Sequence, residues 1–190
     1  VAYRKFQRDN IDRPFDKGVA FPFIKRLLKL NEAYKNEHPI EVVVLSRNDA
    51  ESGMRFYRSC THYGLEINKG AFLAGSSPFP YIKSFDCCLF LSSNEDDVKE
   101  AIREKLPAGL VLHSEIEDKD TDDQLRIAFD FDGVIVDGEA EAVYKETRDL
   151  GKFHHSEQIK RDIPHGPGPL NELIRKISVF QRQELKKSSN

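Results

Sequence analysis

Cysteine is scarce in this chain, and the little there is argues against a disulfide framework. Cys60, Cys87 and Cys88 are an odd set, two of them adjacent inside an apolar run. They read as reduced, buried thiols of a cytoplasmic protein, and their spacing matches no zinc pattern. Long apolar runs are missing too, so no stretch approaches the length that crosses a membrane. The first residues lack the charged, apolar and small-residue succession of a signal peptide. Nor is there a basic stripe: a net charge of −3 with 32% charged residues describes a soluble surface with no pull toward nucleic acid. What is left, at 190 residues, is one ordinary domain, or a core with a small appendage, that can bury a sizeable core.

Within that frame the informative stretch is 125–138, LRIAFDFDGVIVDG. The apolar run 125–129 reads as a short buried strand of a parallel sheet, and it delivers Asp130 and Asp132, spaced by one residue and followed at once by Gly133. In parallel sheets ligands sit beyond the carboxyl ends of strands, which puts an Asp-x-Asp where chemistry happens. Two like charges so close repel, and a site that keeps both wants a divalent cation or a shared proton. A hard, oxygen-loving ion such as Mg²⁺ suits. The same residues also suit an Asp-rich turn after a strand.

Taken in order, 1–18 is charged and begins as though a helix had been cut into. From Pro22 to about Tyr34, Phe23, Leu27, Leu28 and Leu30 form a helical stripe, broken by His38-Pro39. IEVVVLS, 40–46, is the clearest strand, continuous enough to be buried on both faces. It ends in Ser46, Arg47, Asn48 and Asp49, and a helix runs on to about Tyr63 and stops at Gly64. Ser46 can donate to a phosphate with help from that helix's N–H groups, or simply cap the helix. Shorter strands are expected at 70–74, 86–91 and 108–112. Ser92 or Ser93 would cap a helix from about Asn94, whose Glu95, Asp96 and Asp97 suit a helix start. A helix at about 139–150, a polar region with His154 and His155, a Pro/Gly break at 164–169 and a helix from Pro169 complete the chain. The Pro/Gly loops before the helices near 22 and 169 echo one another and suggest two related halves.

FDFDGVIVD resembles the first signature motif of the haloacid dehalogenase superfamily. The resemblance implies Asp130 as a nucleophile that takes a phosphoryl group and Asp132 as general acid/base. Ser46 after VVVL is similar to the second motif, Lys83 to the third, and SSNEDD after CCLFL to the fourth, with Asp97 matching its distal aspartate. A hydroxyl and a Lys would then hold phosphoryl oxygens, with Arg47, Asn48 and Gly133 beside the substrate, and Asp97 would join Asp130 and Asp132 on the metal. Ser93 stands where a proximal aspartate is usual. The superfamily places the DxD strand first, and here it comes late. The expected fold is therefore a Rossmann-like α/β domain with permuted motifs and all-parallel strand order 108–112, 86–91, 125–130, 40–46, 70–74. Residues 1–18 and 138–167 would be small helical cap-like segments on a single domain, 1–190.

GVAFPFIKRLL, the helix ending in HYGL, GAFLAGSSPFPYIKSF and RIAFDFDGVIVDGEAE, in that order, look like the class I cytosolic 5′-nucleotidases over most of 15–175. That family implies Mg²⁺-dependent hydrolysis of nucleoside 5′-monophosphates in the cytoplasm. Its members carry a further strand with a hydroxyl residue, a Lys and paired aspartates after the last helix here, so the chain reads as a fragment or a short form. The rival reading is a catalytically silent module that binds phosphorylated ligands or a partner. The expected partner is a small-molecule nucleotide, and self-association stays open.

Overall fold

The computed structural model describes residues 2–34, 37–114 and 121–188, and the chain divides into two units, Val1–Cys87 with Leu110–Arg126 and Cys88–Gly109 with Ile127–Asn190. The first unit opens with α1 (Ala2–Asp9) and α2 (Phe21–Lys29). Pro22 sits in the first turn of α2, where its missing N–H costs no helical bond. A 3₁₀ turn, Leu30–Tyr34, continues it. Strands β1 (Val43–Ser46) and β2 (Lys69–Phe72) pair in parallel, Val43 opposite Lys69 and Ser46 opposite Phe72. A parallel pair needs a crossover, and α3 (Ala50–Tyr63) supplies it. Asp49 starts α3 by accepting the Ser52 N–H at 3.1 Å, and Gly64 ends it in the left-handed region at φ 66°.

The apolar faces of these elements meet where Leu28, Cys60 and Ile67 are buried together, ringed by Ile24, Ile40, Val42, Val44, Phe56 and Leu65. Burial pushes the Cys60 thiol up to about 11, so it stays protonated at neutral pH. Asn31, also buried, brackets Ile40: its amide donates to the Ile40 carbonyl at 2.8 Å and accepts the Ile40 N–H at 2.9 Å. The segment before α2 lies on α3 through a buried arginine. Arg55 donates to Gln7 at 3.1 Å and to the Arg13 carbonyl at 2.8 Å, with its guanidinium 4.1 Å over the Phe15 ring. A short α4 (Phe79–Ser84) buries Ile82.

In the second unit β3 (Phe90–Ser92) pairs with β4 (Ala108–Leu110), linked by α5 (Glu95–Arg103), which buries Asp97, Val98 and Ala101. Helices α6 (Glu139–Thr147) and α7 (Leu150–Lys160) pack together, and α8 (Asn171–Ser188) follows. No helix among the described residues is long and apolar enough to cross a membrane.

The α/β class and both outer strand pairs agree with expectation. The central strand does not. Residues 125–130 form no regular element: among the described residues the strands form two separate two-stranded sheets, and 125–130 joins neither. Leu125, Ile127 and Phe129 are half-buried while Arg126, Ala128 and Asp130 are exposed, so the stretch covers one face and not two. Helix α5 is capped by Asn94, whose carboxamide oxygen accepts the Asp96 and Asp97 N–H groups, and not by Ser92 or Ser93. Helix α7 takes up His154 and His155, where a polar connection was expected.

One close approach locks α3 to β2. A Cβ on Gly53 would fall 2.8 Å from the Phe72 ring. Alanine in a helix interior normally gains about 1 kcal/mol over glycine, but overpacking a filled site costs about 1–3 kcal/mol. Gly53→Ala is therefore expected to destabilise the chain by about 1 kcal/mol in chemical unfolding. Adding Phe72→Leu should cost less than the two single losses summed.

Candidate active site

In the first unit, Ser46, Arg47 and Asn48 lie in the loop beyond β1. Backbone pairing continues past the strand ends: Leu73 N–H donates to the Ser46 carbonyl at 2.9 Å, Gly75 to Arg47 at 2.6 Å and Ala74 to Asn48 at 2.9 Å. Two residues with positive φ, Ala74 at 47° and Gly75 at 100°, turn the partner loop so that it can make these bonds. Ser46, half-buried, accepts the Asn48 N–H on its hydroxyl oxygen at 3.1 Å, a local turn that fixes the oxygen and leaves its proton outside that bond. Arg47 and Asn48 are exposed.

The start of α3 carries more negative charge than a phosphate cradle calls for. Buried Asp49 accepts from the Ser52 N–H at 3.1 Å, from the Ser52 hydroxyl at 2.9 Å and from Arg4 at 3.1 Å. Burial works to raise its pKa, but the Ser52 bonds and the Arg4 guanidinium outweigh it, and the carboxyl is held below its ordinary value. The Ser52 N–H, one of those expected to help a phosphate, is thus engaged by a carboxylate. Lys83, exposed on α4, belongs to this same unit.

The second unit carries the acidic loop. Asp130, Asp132 and Gly133 are all exposed. Asp130 Oδ1 accepts the Phe131 N–H at 2.8 Å. The chain then makes a wide turn, Phe131–Ile135, broken by Gly133 at φ 71°, a left-handed angle that suits glycine. The turn is closed by Val136 N–H on the Phe131 carbonyl at 3.2 Å and by Gly133 N–H on the Asp137 carbonyl at 3.4 Å. A second loop clasps it. Asp137 N–H donates to the Gly166 carbonyl at 2.9 Å, Gly168 N–H to Ile135 at 3.0 Å and Leu170 N–H to Val134 at 3.1 Å.

Two exposed carboxylates two residues apart are hard oxygen donors, and Mg²⁺ asks for only one or two such ligands besides water and phosphate oxygens. Asp130 and Asp132 fit that demand. Among the described residues no three His, Cys, Asp or Glu side chains gather into a group that could hold a metal, so Asp97 is not drawn into one with them. Asp97 is instead buried in the first turn of α5, where its own N–H meets the Asn94 cap. The sequence reading gave no site role to Asp137, which closes the FDFDGVIVD motif, to Gly166, or to His165, which it took for a solvated loop residue. The His165 ring stands edge-on to Phe131, 5.9 Å between centroids. Only the glycine spacing of HGPGPL hinted at them.

Comparison with known proteins bears on this arrangement. The family model described as 5′-nucleotidase matches residues 1–190. The chain is 29% identical over 186 residues, 95% of its length, to cytosolic 5′-nucleotidase 1B of Homo sapiens. It spans about 30% of that relative. No solved structure matches.

The Asp49 cap makes a pH-dependent prediction. Its folded pKa lies below the ordinary 3.8, so its contribution to stability is complete above that value and is lost as pH falls through the folded value. Asp49→Asn should therefore unfold at lower denaturant than the wild type at pH 7. The gap measured by urea titration should narrow steadily below about pH 4.

Proposed function

The chain belongs to the 5′-nucleotidase family, and from that premise we propose that it hydrolyses nucleoside 5′-monophosphates to nucleoside and phosphate through Asp130. The observation that carries the reading is the exposed Asp-x-Asp-Gly loop, whose two carboxylates are presented outward on a turn tied down by backbone bonds.

Asp130 attacks phosphorus with a carboxylate oxygen as the bond from phosphorus to the 5′ oxygen breaks. The Phe131 N–H on Oδ1 orients the carboxylate for that attack. Asp132 passes a proton to the departing 5′ oxygen, then takes one from the water that attacks the phosphorus of the aspartyl-phosphate. Phosphate leaves and Asp130 is regenerated. Mg²⁺, when bound by Asp130 and Asp132, would offset the charge of the two carboxylates and of the phosphoryl oxygens. Ser46 and Lys83 are the groups assigned to donate to those oxygens, with Arg47, Asn48 and Gly133 beside the substrate. The similarity to a cytosolic enzyme supports a cytoplasmic setting.

A second reading has its own support. The chain covers under a third of its curated relative, and no three-ligand group forms among the described residues. A module that binds nucleotides without turning them over fits those two facts.

Phosphate release from a panel of nucleoside monophosphates, with and without Mg²⁺, decides between them. The hydrolase reading expects Mg²⁺-dependent release from wild type, none above blank from Asp130→Asn, and a loss of about 10²–10⁴-fold in Asp132→Asn. Release by Asp130→Asn equal to wild type removes the nucleophile. Wild type no better than Asp130→Asn, with binding intact, leaves the silent module.

A further inference from the structure

Asp137 uses every polar atom it has within one small region. Its N–H donates to the Gly166 carbonyl at 2.9 Å and its carbonyl accepts the Gly133 N–H at 3.4 Å. Its Oδ2 accepts the Gly166 N–H at 2.9 Å, and its Oδ1 accepts the Glu139 N–H at 3.4 Å. Asp137 therefore ties three backbones together: its carbonyl holds Gly133, the residue after Asp132, and its half-buried side chain holds the start of α6 and a loop 29 residues downstream.

The downstream loop is shaped to receive it. A Cβ on Gly166 would overlap Asp137 Oδ2, and a Cβ on Gly168 would lie 2.5 Å from the carbonyl oxygens of both Val134 and Val136. Asp137 and Gly166 thus meet as a carboxylate and a bare backbone N–H, each requiring the other. The cross-links at 134, 135 and 137 all lie on the segment that follows Gly133, so the clasp holds the acidic loop from behind and leaves Asp130 and Asp132 exposed in front.

We propose that Asp137 is a positioning residue which, paired with the Gly166 N–H, holds the Asp130–Gly133 loop in its reactive geometry. This rests on the hydrolase reading for its kinetic consequence, but the loop restraint itself is measurable without turnover. A displacement of about 1 Å at reacting groups costs about 10²-fold in rate, while binding of a phosphate ester depends on it less.

The test uses the 190-residue chain with Mg²⁺ and the monophosphate it turns over best. Asp137→Ala should lower kcat by about 10- to 100-fold and move KM by less than about threefold. Asp137→Asn keeps an oxygen for the Gly166 N–H and should recover most of kcat. Gly166→Ala should fall as Asp137→Ala does, and the double variant should be no worse than either single. In parallel, hydrogen exchange should speed up at 131–137 and 164–170 in Asp137→Ala, and not in β1 or α3. Unchanged exchange in those two loops, failure of Asn to rescue, or multiplying losses in the double variant would overturn the proposal. If the wild type releases no phosphate, the hydrolase reading fails on its own, and the exchange result still decides whether Asp137 restrains the loop.

Discussion

Two carboxylates two residues apart repel each other, and the second unit is built around tolerating that repulsion. Asp130 and Asp132 stay exposed, where water screens the charge best, and Asp130 leans on the neighbouring Phe131 N–H. Such a loop would relax toward a conformation that separates the charges unless something else held it. The restraint comes from the Val134 and Ile135 carbonyls, which accept the Leu170 and Gly168 N–H groups, and from the Asp137 N–H, which donates to the Gly166 carbonyl. They are backbone bonds at a half-buried depth, where each is worth more than in open water. The rigidity comes from behind the acids, and their front remains open for chemistry.

Local chemical patterns were readable in the sequence because they work over a few residues. Asp49 before α3 and Gly64 after it are where capping rules put them, and Gly133 takes the positive φ that follows an Asp-x-Asp turn. Ser92 or Ser93 was expected to cap α5, with Asn94 as its first residue, and instead Asn94 is the cap. The outcome turned on which side chain faced the Asp96 and Asp97 N–H groups, and Ser92 instead accepts the Asn94 N–H. Helical segments were expected over 138–167, but α7 itself could not be placed through His154 and His155, because it is mostly exposed and carries no apolar stripe for a pattern to reveal.

What the sequence hid was non-local. Leu125, Ile127 and Phe129 were read as part of a continuous buried run, and that made 125–130 a central strand. An exposed Ala128 turns the same letters into a segment with one half-buried face. No period distinguishes the two in so short a stretch. Asp137 and Gly166 are likewise invisible as a pair, since no rule of spacing connects residues 29 apart. Only the bare glycines of HGPGPL marked a place where backbone had to come close.

The charge of the acidic loop explains why the family reading calls for a cation. Helix N-termini commonly greet a phosphate with free N–H groups and a positive dipole end. At the start of α3 the Ser52 N–H is already taken by the Asp49 carboxylate, which also engages Arg4. That cap stabilises the helix and spends its dipole on the chain's own anion. A phosphate dianion brought to Asp130 would meet the negative charges of Asp130 and Asp132, so attraction must come from another group. A divalent ion, if held by Asp130 and Asp132, would supply that attraction and offset the charge of the acid pair and of the substrate together.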